Sequence, residues 1–269
     1  MDIKFHPALR AIKDDDLQAF RDLLEQDPSL ATARSTRGHP TLLQALVLDA
    51  VDQPNAVEMA KLLIDGGANI DEALVAAASM DNAVVAELLL DRGANIDGTG
   101  AWSPLEEALY WNNKRAISLL LTRGAQVGNL RTAAALGRVD LLKEFFDSQG
   151  LLKAEAGILA WPFGKPKVSW MTGSQAIIDN AFIYACMHNQ VDAAAFLLDH
   201  GAQINEIPPG FDYAGTGLHY AALNGHRPMV DFLLSKGADV KVKDAKVNST
   251  PSGWADHGGH KELSLYLER

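Results

Sequence analysis

The chain repeats a pattern of two apolar stripes separated by short polar turns. Its clearest copy begins at 217 and runs Gly-Leu-His-Tyr-Ala-Ala-Leu-Asn-Gly-His, followed by Val230, the pair Leu233-Leu234 and Gly237-Ala238. The apolar residues of each stripe recur at intervals of three and four, which predicts a pair of amphipathic helices. Copies with a period of roughly 20 to 50 residues predict a stack of small units that bury their apolar faces against their neighbours.

Most copies close with a leucine pair and then Gly-Ala. These closures lie at Gly67-Ala68, Gly93-Ala94, Gly124-Ala125, Gly201-Ala202 and Gly237-Ala238. A glycine after the last helical turn favours the left-handed backbone that ends a helix. Gly67 and Gly93 are only 26 residues apart, against 36 for Gly201 and Gly237. We therefore expect the third and fifth copies, 71–97 and 130–150, to have short connections without a projecting loop.

The period fails once, between Gly150 and the closure at Gly201, which leaves about 25 surplus residues at 151–177. The centre of this insertion contains three large aromatic residues, Trp161, Phe163 and Trp170. It is too apolar for a disordered linker. We expect one domain over 1–269, made of about eight repeats and interrupted at 151–177.

These motifs resemble the ankyrin repeat, whose pattern is Thr-Pro-Leu-His-x-Ala-Ala, then Gly-His, a leucine pair and Gly-Ala-Asp. The best match reads Thr216-Gly217-Leu218-His219-Tyr220-Ala221-Ala222, Gly225-His226, Leu233-Leu234 and Gly237-Ala238-Asp239. Two departures are Gly217 in place of the proline and, in the eighth copy, Gly253 in place of the histidine. The third and fifth copies lack the opening motif, so we expect their helices but not their hairpin turns.

The resemblance implies an all-α ankyrin-repeat solenoid of stacked helix pairs with short projecting loops. It also implies a non-enzymatic scaffold or inhibitor that binds a protein partner through its concave groove and loops. A fold by itself does not fix a use. In this fold the residue between the histidine and Ala-Ala faces the groove, and in the last three copies it is aromatic: Tyr184, Tyr220 and Trp254.

Aromatic side chains are enriched where protein interfaces bind most tightly. The candidate partner-binding residues are Tyr110, Trp111, Trp161, Phe163, Trp170, Tyr184, Tyr220, Trp254 and His257. The alternative is that these aromatics pack inside the protein, against the insertion or against neighbouring helices. The insertion could also fold into the groove and cover it.

Catalytic and metal-binding chemistry is poorly represented. His219 matches the motif histidine that hydrogen-bonds neighbouring turns, and Cys186 stands at an alanine position, which predicts a buried thiol with a raised pKa. Asp256, His257 and His260 lie close in sequence but lack the further ligands of a zinc site. The sequence contains no Gly-x-Ser-x-Gly elbow and no nucleotide-binding glycine loop. We expect no enzyme activity, no cofactor and no metal.

The charge and the apolar runs of the chain argue against nucleic acid and membranes as partners. The formal net charge of -10 argues against nucleic acid, which is bound through clustered lysine and arginine. No apolar run approaches the roughly 20 residues that span a bilayer. A single cysteine and the absence of a signal peptide favour a cytoplasmic protein, and we expect a monomer.

Two other functions fit the sequence. The first is an enzyme or small-ligand carrier whose pocket is lined by Tyr184, Tyr220, Trp254 and His257 and roofed by the 151–177 insertion. A closed pocket with convergent polar groups would favour it over an open groove. The second is a self-associating structural protein.

Overall fold

The structure, a computed structural model, describes residues 2–36, 40–100, 102–157 and 173–268. Within these ranges the chain forms sixteen α-helices and three short 3₁₀ turns. The helices are α1 (His6–Lys13), α2 (Leu17–Gln26), α3 (Leu42–Asp49), α4 (Ala56–Asp65), α5 (Ile70–Ser79), α6 (Ala83–Asp91), α7 (Pro104–Tyr110), α8 (Lys114–Thr122), α9 (Leu130–Ala135), α10 (Val139–Glu144), α11 (Ser174–Met187), α12 (Val191–Asp199), α13 (Gly217–Leu223), α14 (Arg227–Ser235), α15 (Pro251–His257) and α16 (Lys261–Leu267).

Consecutive helices pack as pairs, from α1 with α2 to α15 with α16. The chain divides into two compact units, residues 1–126 and 127–269. In each unit the first helices of successive pairs form one row, α1-α3-α5-α7 or α9-α11-α13-α15, and the second helices form another. These two rows confirm the all-α repeat fold predicted from the apolar period. The assignment of one domain to the whole chain stays a prediction.

The apolar stripes make the core between the rows. In the clearest copy, Leu218, Ala221 and Ala222 on α13 and Val230 and Leu233 on α14 are all buried. Alanine at the helix contacts lets the backbones approach closely, while the leucines fill the space between pairs. Shortening one such leucine to alanine costs roughly 2–5 kcal/mol because a cavity remains.

The glycine closures end the second helices as predicted. Gly67 has a φ of 89° and Gly237 a φ of 91°, in the left-handed region that a side chain makes costly. The next N–H reaches back into the helix, so Ala68 N donates to the Leu63 carbonyl at 3.0 Å. This arrangement satisfies carbonyls that the helix end would otherwise leave unpaired.

A second left-handed residue lies in the turn between the two helices of a pair. In the clearest copy it is Gly225, with a φ of 68°. Other copies place Asp81, Asn112 or Asn189 there, each with a φ between 52° and 57°. Aspartate and asparagine tolerate this conformation better than other residues with side chains. The same turn therefore forms where the glycine of the sequence motif is missing.

Hydrogen bonds between successive closures tie neighbouring repeats together. Each closure has the form Gly-Ala-x, where x is the residue after the alanine. The side chain two residues after x accepts a hydrogen bond from the backbone N–H of residue x in the next closure. The pairs are Asp71 with Asn95 N at 2.7 Å, Asp97 with Gln126 N at 2.8 Å, and Asn205 with Asp239 N at 2.9 Å. Where the insertion interrupts the period, Asp179 of α11 accepts from Gln203 N at 2.7 Å instead.

The connections between repeats differ in length as the glycine spacing predicted. Only residues 66–69 join α4 to α5, and 123–129 join α8 to α9. Longer connections at 200–216 and 236–250 precede α13 and α15. The short connections confirm that the third and fifth copies lack a long loop, and both keep their helices. Two of the long connections therefore lie in the C-terminal unit, before α13 and α15.

Part of the expected insertion belongs to its neighbouring repeats. Leu152 forms an isolated antiparallel bridge with Phe146, and a 3₁₀ turn follows at Ala154–Ala156. Residues 174–177 form the first turn of α11. The aromatic centre of the insertion, with Trp161, Phe163 and Trp170, lies outside the described residues.

Candidate functional site: the aromatic edge of the C-terminal unit

The long connection before α13 lays an aromatic side chain between two helices. Phe211 lies 5.4 Å from Tyr184 on α11 and 5.3 Å from Tyr220 on α13, measured between ring centroids. The loop is anchored to α11, because Asn180 Nδ2 donates to the Pro209 carbonyl at 3.2 Å. The connection therefore covers part of the row of first helices, over α11 and α13.

The same loop continues to the last repeat. The Tyr220 hydroxyl donates to the Tyr213 carbonyl. The Trp254 ring of α15 meets the Tyr220 ring edge to face at 5.1 Å and the Tyr213 ring at 6.2 Å. Edge-to-face packing of this kind adds about 0.5–1.5 kcal/mol per pair beyond the area buried. The aromatics of three repeats thus form one packed row.

Tyr184, Tyr220 and Trp254 are only 2%, 4% and 6% exposed. The sequence places them together on the first helices, and the structure does bring them together. They nevertheless lie beneath the 206–215 segment instead of facing an open groove, because Phe211 and Tyr213 pack over them. Their described ring contacts include those with Phe211, with Tyr213 and with one another. A direct contact between these three and a partner stays a prediction.

His219 has the structural role that the motif predicts. Its Nδ1 lies 2.8 Å from the Thr216 hydroxyl, and its Nε2 lies 3.1 Å from the Ser249 carbonyl of the next connection. Burial lowers the pKa of the imidazole, which favours the neutral ring. His226 similarly links repeats, with Nε2 at 2.9 Å from the Met187 carbonyl.

The connection before α15 is built around one buried carboxylate. Asp244 accepts from the backbone N–H groups of Lys246, Val247 and Ser249 at 2.7–2.9 Å and from Trp254 Nε1 at 3.0 Å. Burial alone would raise the pKa of Asp244, but these hydrogen bonds lower it to about 2. The ionised carboxylate therefore fixes the loop and the indole together.

An apolar recess of about 590 Å³ lies where this loop meets α13 and α15. Its lining residues are Tyr213, Leu223, Val247, Ser249, Gly253, Trp254 and His257. Tyr213 is 52% exposed and Val247 is 68% exposed. His257 is exposed at the rim. Of the candidate residues from the sequence, Trp254 and His257 thus line one concave site, in which Trp254 is largely buried.

The N-terminal unit has a separate aromatic cluster. Both oxygens of the buried Glu107 accept indole hydrogens, from Trp102 at 2.6 Å and from Trp111 at 2.8 Å. Tyr110 is buried and meets the Trp111 ring edge to face at 5.0 Å. Trp111 is 40% exposed. The predicted pair Tyr110 and Trp111 is therefore one buried and one partly exposed side chain, and their role in binding stays a prediction.

Other chemistry is sparse in the described parts of the chain. Within 2–36, 40–100, 102–157 and 173–268, no group of three or more histidine, cysteine or acidic side chains could hold a metal ion. Cys186 is fully buried, and burial raises the pKa of its thiol. Over those same ranges, none of the helices has both the length and the apolar character needed to cross a bilayer.

Sequence reasoning missed the loop residues that cover the aromatic row and that line or support the recess. Phe211 and Tyr213 were visible only as part of a long loop between two repeats. Asp244, Lys246 and Val247 lie in a segment that no motif covers. The signal available in the sequence was the length of the two connections. A long loop that follows a row of aromatic helix positions is long enough to fold over them and bury their apolar surface.

The stacked helix pairs with glycine closures define a helical-repeat protein of the kind that serves as a protein-interaction scaffold. The model of the family described as ankyrin repeats (3 copies) matches residues 47–131 and 130–244. The chain belongs to the ankyrin-repeat family.

Two palmitoyltransferases match this chain over short segments. Human palmitoyltransferase ZDHHC13 is 36% identical over 63 residues, which is 23% of this chain and 10% of the relative. Palmitoyltransferase Hip14 of Drosophila melanogaster is 42% identical over 45 residues, 17% of this chain and 7% of the relative. Because these matches span a tenth or less of those proteins, they give no reason to assign the enzyme activity of those proteins to this chain. The crystal structure of the human ASB11 ankyrin repeat domain aligns over 98% of both chains at 18% identity, with a TM-score of 0.44.

Proposed function

We propose that this ankyrin-repeat protein is a non-enzymatic scaffold or inhibitor that binds a protein partner through the recess of its C-terminal unit. The observation that carries the proposal is the pairing of exposed Tyr213 and Val247 around an apolar recess. Exposed aromatic and aliphatic residues around a concavity are typical of the anchor sites of interfaces. The partner is expected to bury on the order of 800 Å² on this side.

The rigid support of the recess strengthens the proposal. Trp254 is held by the Asp244 carboxylate, and the Tyr213 backbone is held by the Tyr220 hydroxyl. A wall fixed before binding loses little conformational freedom when a partner docks. The ligand-carrier alternative would need the polar atoms of Tyr220 and Trp254 to point into a pocket. Here both atoms are already engaged within the protein.

The experiment compares two matched substitutions. Val247→Asp places a charge at the recess, and Val84→Asp makes the same change at another exposed valine on α6, in the N-terminal unit. Both variants should keep the wild-type circular dichroism spectrum, since both positions are exposed. Each is used beside the wild type to capture proteins from source-cell lysate for quantitative mass spectrometry.

A partner that binds wild type and Val84→Asp but not Val247→Asp supports the proposed interface. Partners recovered equally with all three would place the interface elsewhere and overturn it. Light scattering over a concentration series tests the accompanying expectation that the protein acts as a monomer. We also propose a cytoplasmic location, which is supported by the single buried cysteine, and which fractionation of source cells would test.

A further inference from the structure

The loop beside the recess has a charge opposite to that of the whole chain. The chain carries a formal net charge of -10. The segment 241–247, however, exposes Lys241, Lys243 and Lys246, and its single acid is Asp244. That carboxylate is buried and occupied by four hydrogen bonds from the protein. The accessible surface of this loop is therefore cationic.

One of these lysines stands at the wall of the recess itself. Lys246 Nζ lies 4.8 Å from the centroid of the Tyr213 ring, which lines the recess. None of the three lysines forms an ion pair with another of the described residues. An apolar concavity and the exposed Lys246 thus adjoin each other, and Lys241 and Lys243 are exposed on the same loop.

We propose that the recess accepts a large apolar side chain from an acidic segment of the partner protein, with Lys243 and Lys246 pairing with carboxylates beside that anchor. This assignment rests on the proposed protein-binding function and specifies its partner chemistry. A recess of about 590 Å³ has room for one or two large side chains. The positive loop raises the encounter rate with an acidic segment and disfavours a basic one, which gives specificity.

Polyanionic surfaces fit these observations less well. Specific binding to a duplex typically neutralises several phosphates at once, and membrane-binding sequences cluster roughly four to eight basic residues. The loop offers three lysines on a chain whose net charge is -10. A short acidic peptide needs only the local cations and the recess.

The test uses fluorescein-labelled nine-residue peptides and fluorescence anisotropy with the full chain. The first probe has a central Leu-Trp pair flanked by aspartate and glutamate. Three matched probes replace its flanks with serine and glutamine, replace its flanks with lysine and arginine, or replace its centre with Ala-Ala. We expect the acidic apolar probe to bind at least tenfold more tightly than each of the others, and to weaken as salt rises from about 50 to 500 mM.

Two charge-reversal variants locate the effect. Lys243→Glu with Lys246→Glu should weaken the acidic probe about tenfold, because two attractions become two repulsions beside the anchor. Lys13→Glu with Lys114→Glu makes the same change in net charge on exposed lysines of the N-terminal unit and should have no such effect. Val247→Asp should weaken the binding of two probes, the Leu-Trp peptide with acidic flanks and the Leu-Trp peptide with neutral flanks.

The outcomes separate this inference from the function it rests on. Equal binding of neutral and acidic probes, both lost in Val247→Asp, would overturn the charge assignment and leave the recess as a protein-binding site. Binding of the acidic probe that survives the Lys243 and Lys246 reversal would also overturn it. If no probe binds at millimolar concentration, both the assignment and the recess fail. Sedimentation with phosphatidylserine vesicles that depends on the two lysines, without peptide binding, would assign the loop to a membrane.

Discussion

Replacing Asp244 by asparagine should loosen the last repeat by an amount that the structure lets us work out. The carboxylate accepts four N–H groups, and its pKa falls from 3.8 to about 2. Each pKa unit is worth 1.36 kcal/mol, so the ionised form contributes roughly 2 kcal/mol to folding at neutral pH. The asparagine side chain would present an NH₂ group to donors that need an acceptor. We expect Asp244→Asn to cost about 2 kcal/mol at pH 7.

The pH dependence tests the physical cause. A carboxyl whose pKa is lower in the folded state stabilises the protein above its unfolded pKa and loses that contribution as pH falls through the folded pKa. The difference between wild type and Asp244→Asn should therefore be full above about pH 5 and shrink toward pH 2. Hydrogen-exchange mass spectrometry of peptides covering 241–260 measures the local free energy of opening, which suits a terminal repeat that opens on its own.

Asp256→Asn is the matched control, because Asp256 is exposed and lies in the same repeat. It should change exchange in 241–260 by less than about 0.5 kcal/mol. The reasoning would be refuted if Asp244→Asn were as mild as this control at pH 7. It would equally fail if the penalty were the same at pH 3 as at pH 7, since the ionised carboxylate would then not be its source.

Three further predictions concern the core and the N-terminal cluster. Cys186 should not react with Ellman's reagent at pH 8 until the protein is unfolded by denaturant, because its thiol is buried; prompt reaction of folded protein would contradict that burial. Gly217→Ala should lower the free energy of unfolding in urea by roughly 1–3 kcal/mol, because its Cβ would lie 2.7 Å from the Cys186 sulfur. Gly128→Ala is the control and should be nearly neutral, because its Cβ would meet nothing within 4 Å. Glu107→Gln should lower the free energy of thermal unfolding by about 1–2 kcal/mol, because an amide offers one acceptor atom to two indole donors. Glu87→Gln, at an exposed position, is its control.

The repeat fold could be predicted because its signals are local. A leucine pair followed by Gly-Ala specifies a helix end through backbone geometry at Gly67 or Gly237, whatever lies elsewhere in the chain. The spacing of those glycines then predicts which connections are short. The turns at Asp81 and Asn189 were harder to recognise, because a side chain replaces the glycine while the backbone conformation stays the same.

The site could be predicted only in part, because loop packing is not local. The repeat register correctly groups Tyr184, Tyr220 and Trp254 on one row of helices. Whether such a row is open depends on where Phe211 and Tyr213 pack, and no periodic pattern reports the path of a long connection. The anchoring role of Asp244 was hidden for the same reason, since its four donors come together only when the loop is folded.

The bonds between successive Gly-Ala-x closures have a consequence for how this protein can change over time. The donor in each is the backbone N–H of Asn95, Gln126 or Asp239, while the side chain that matters belongs to the preceding repeat. For this bond, any residue except proline can occupy the donor position. Substitution at these donor positions by any residue except proline therefore leaves the bond available, provided that the preceding repeat keeps its acceptor side chain.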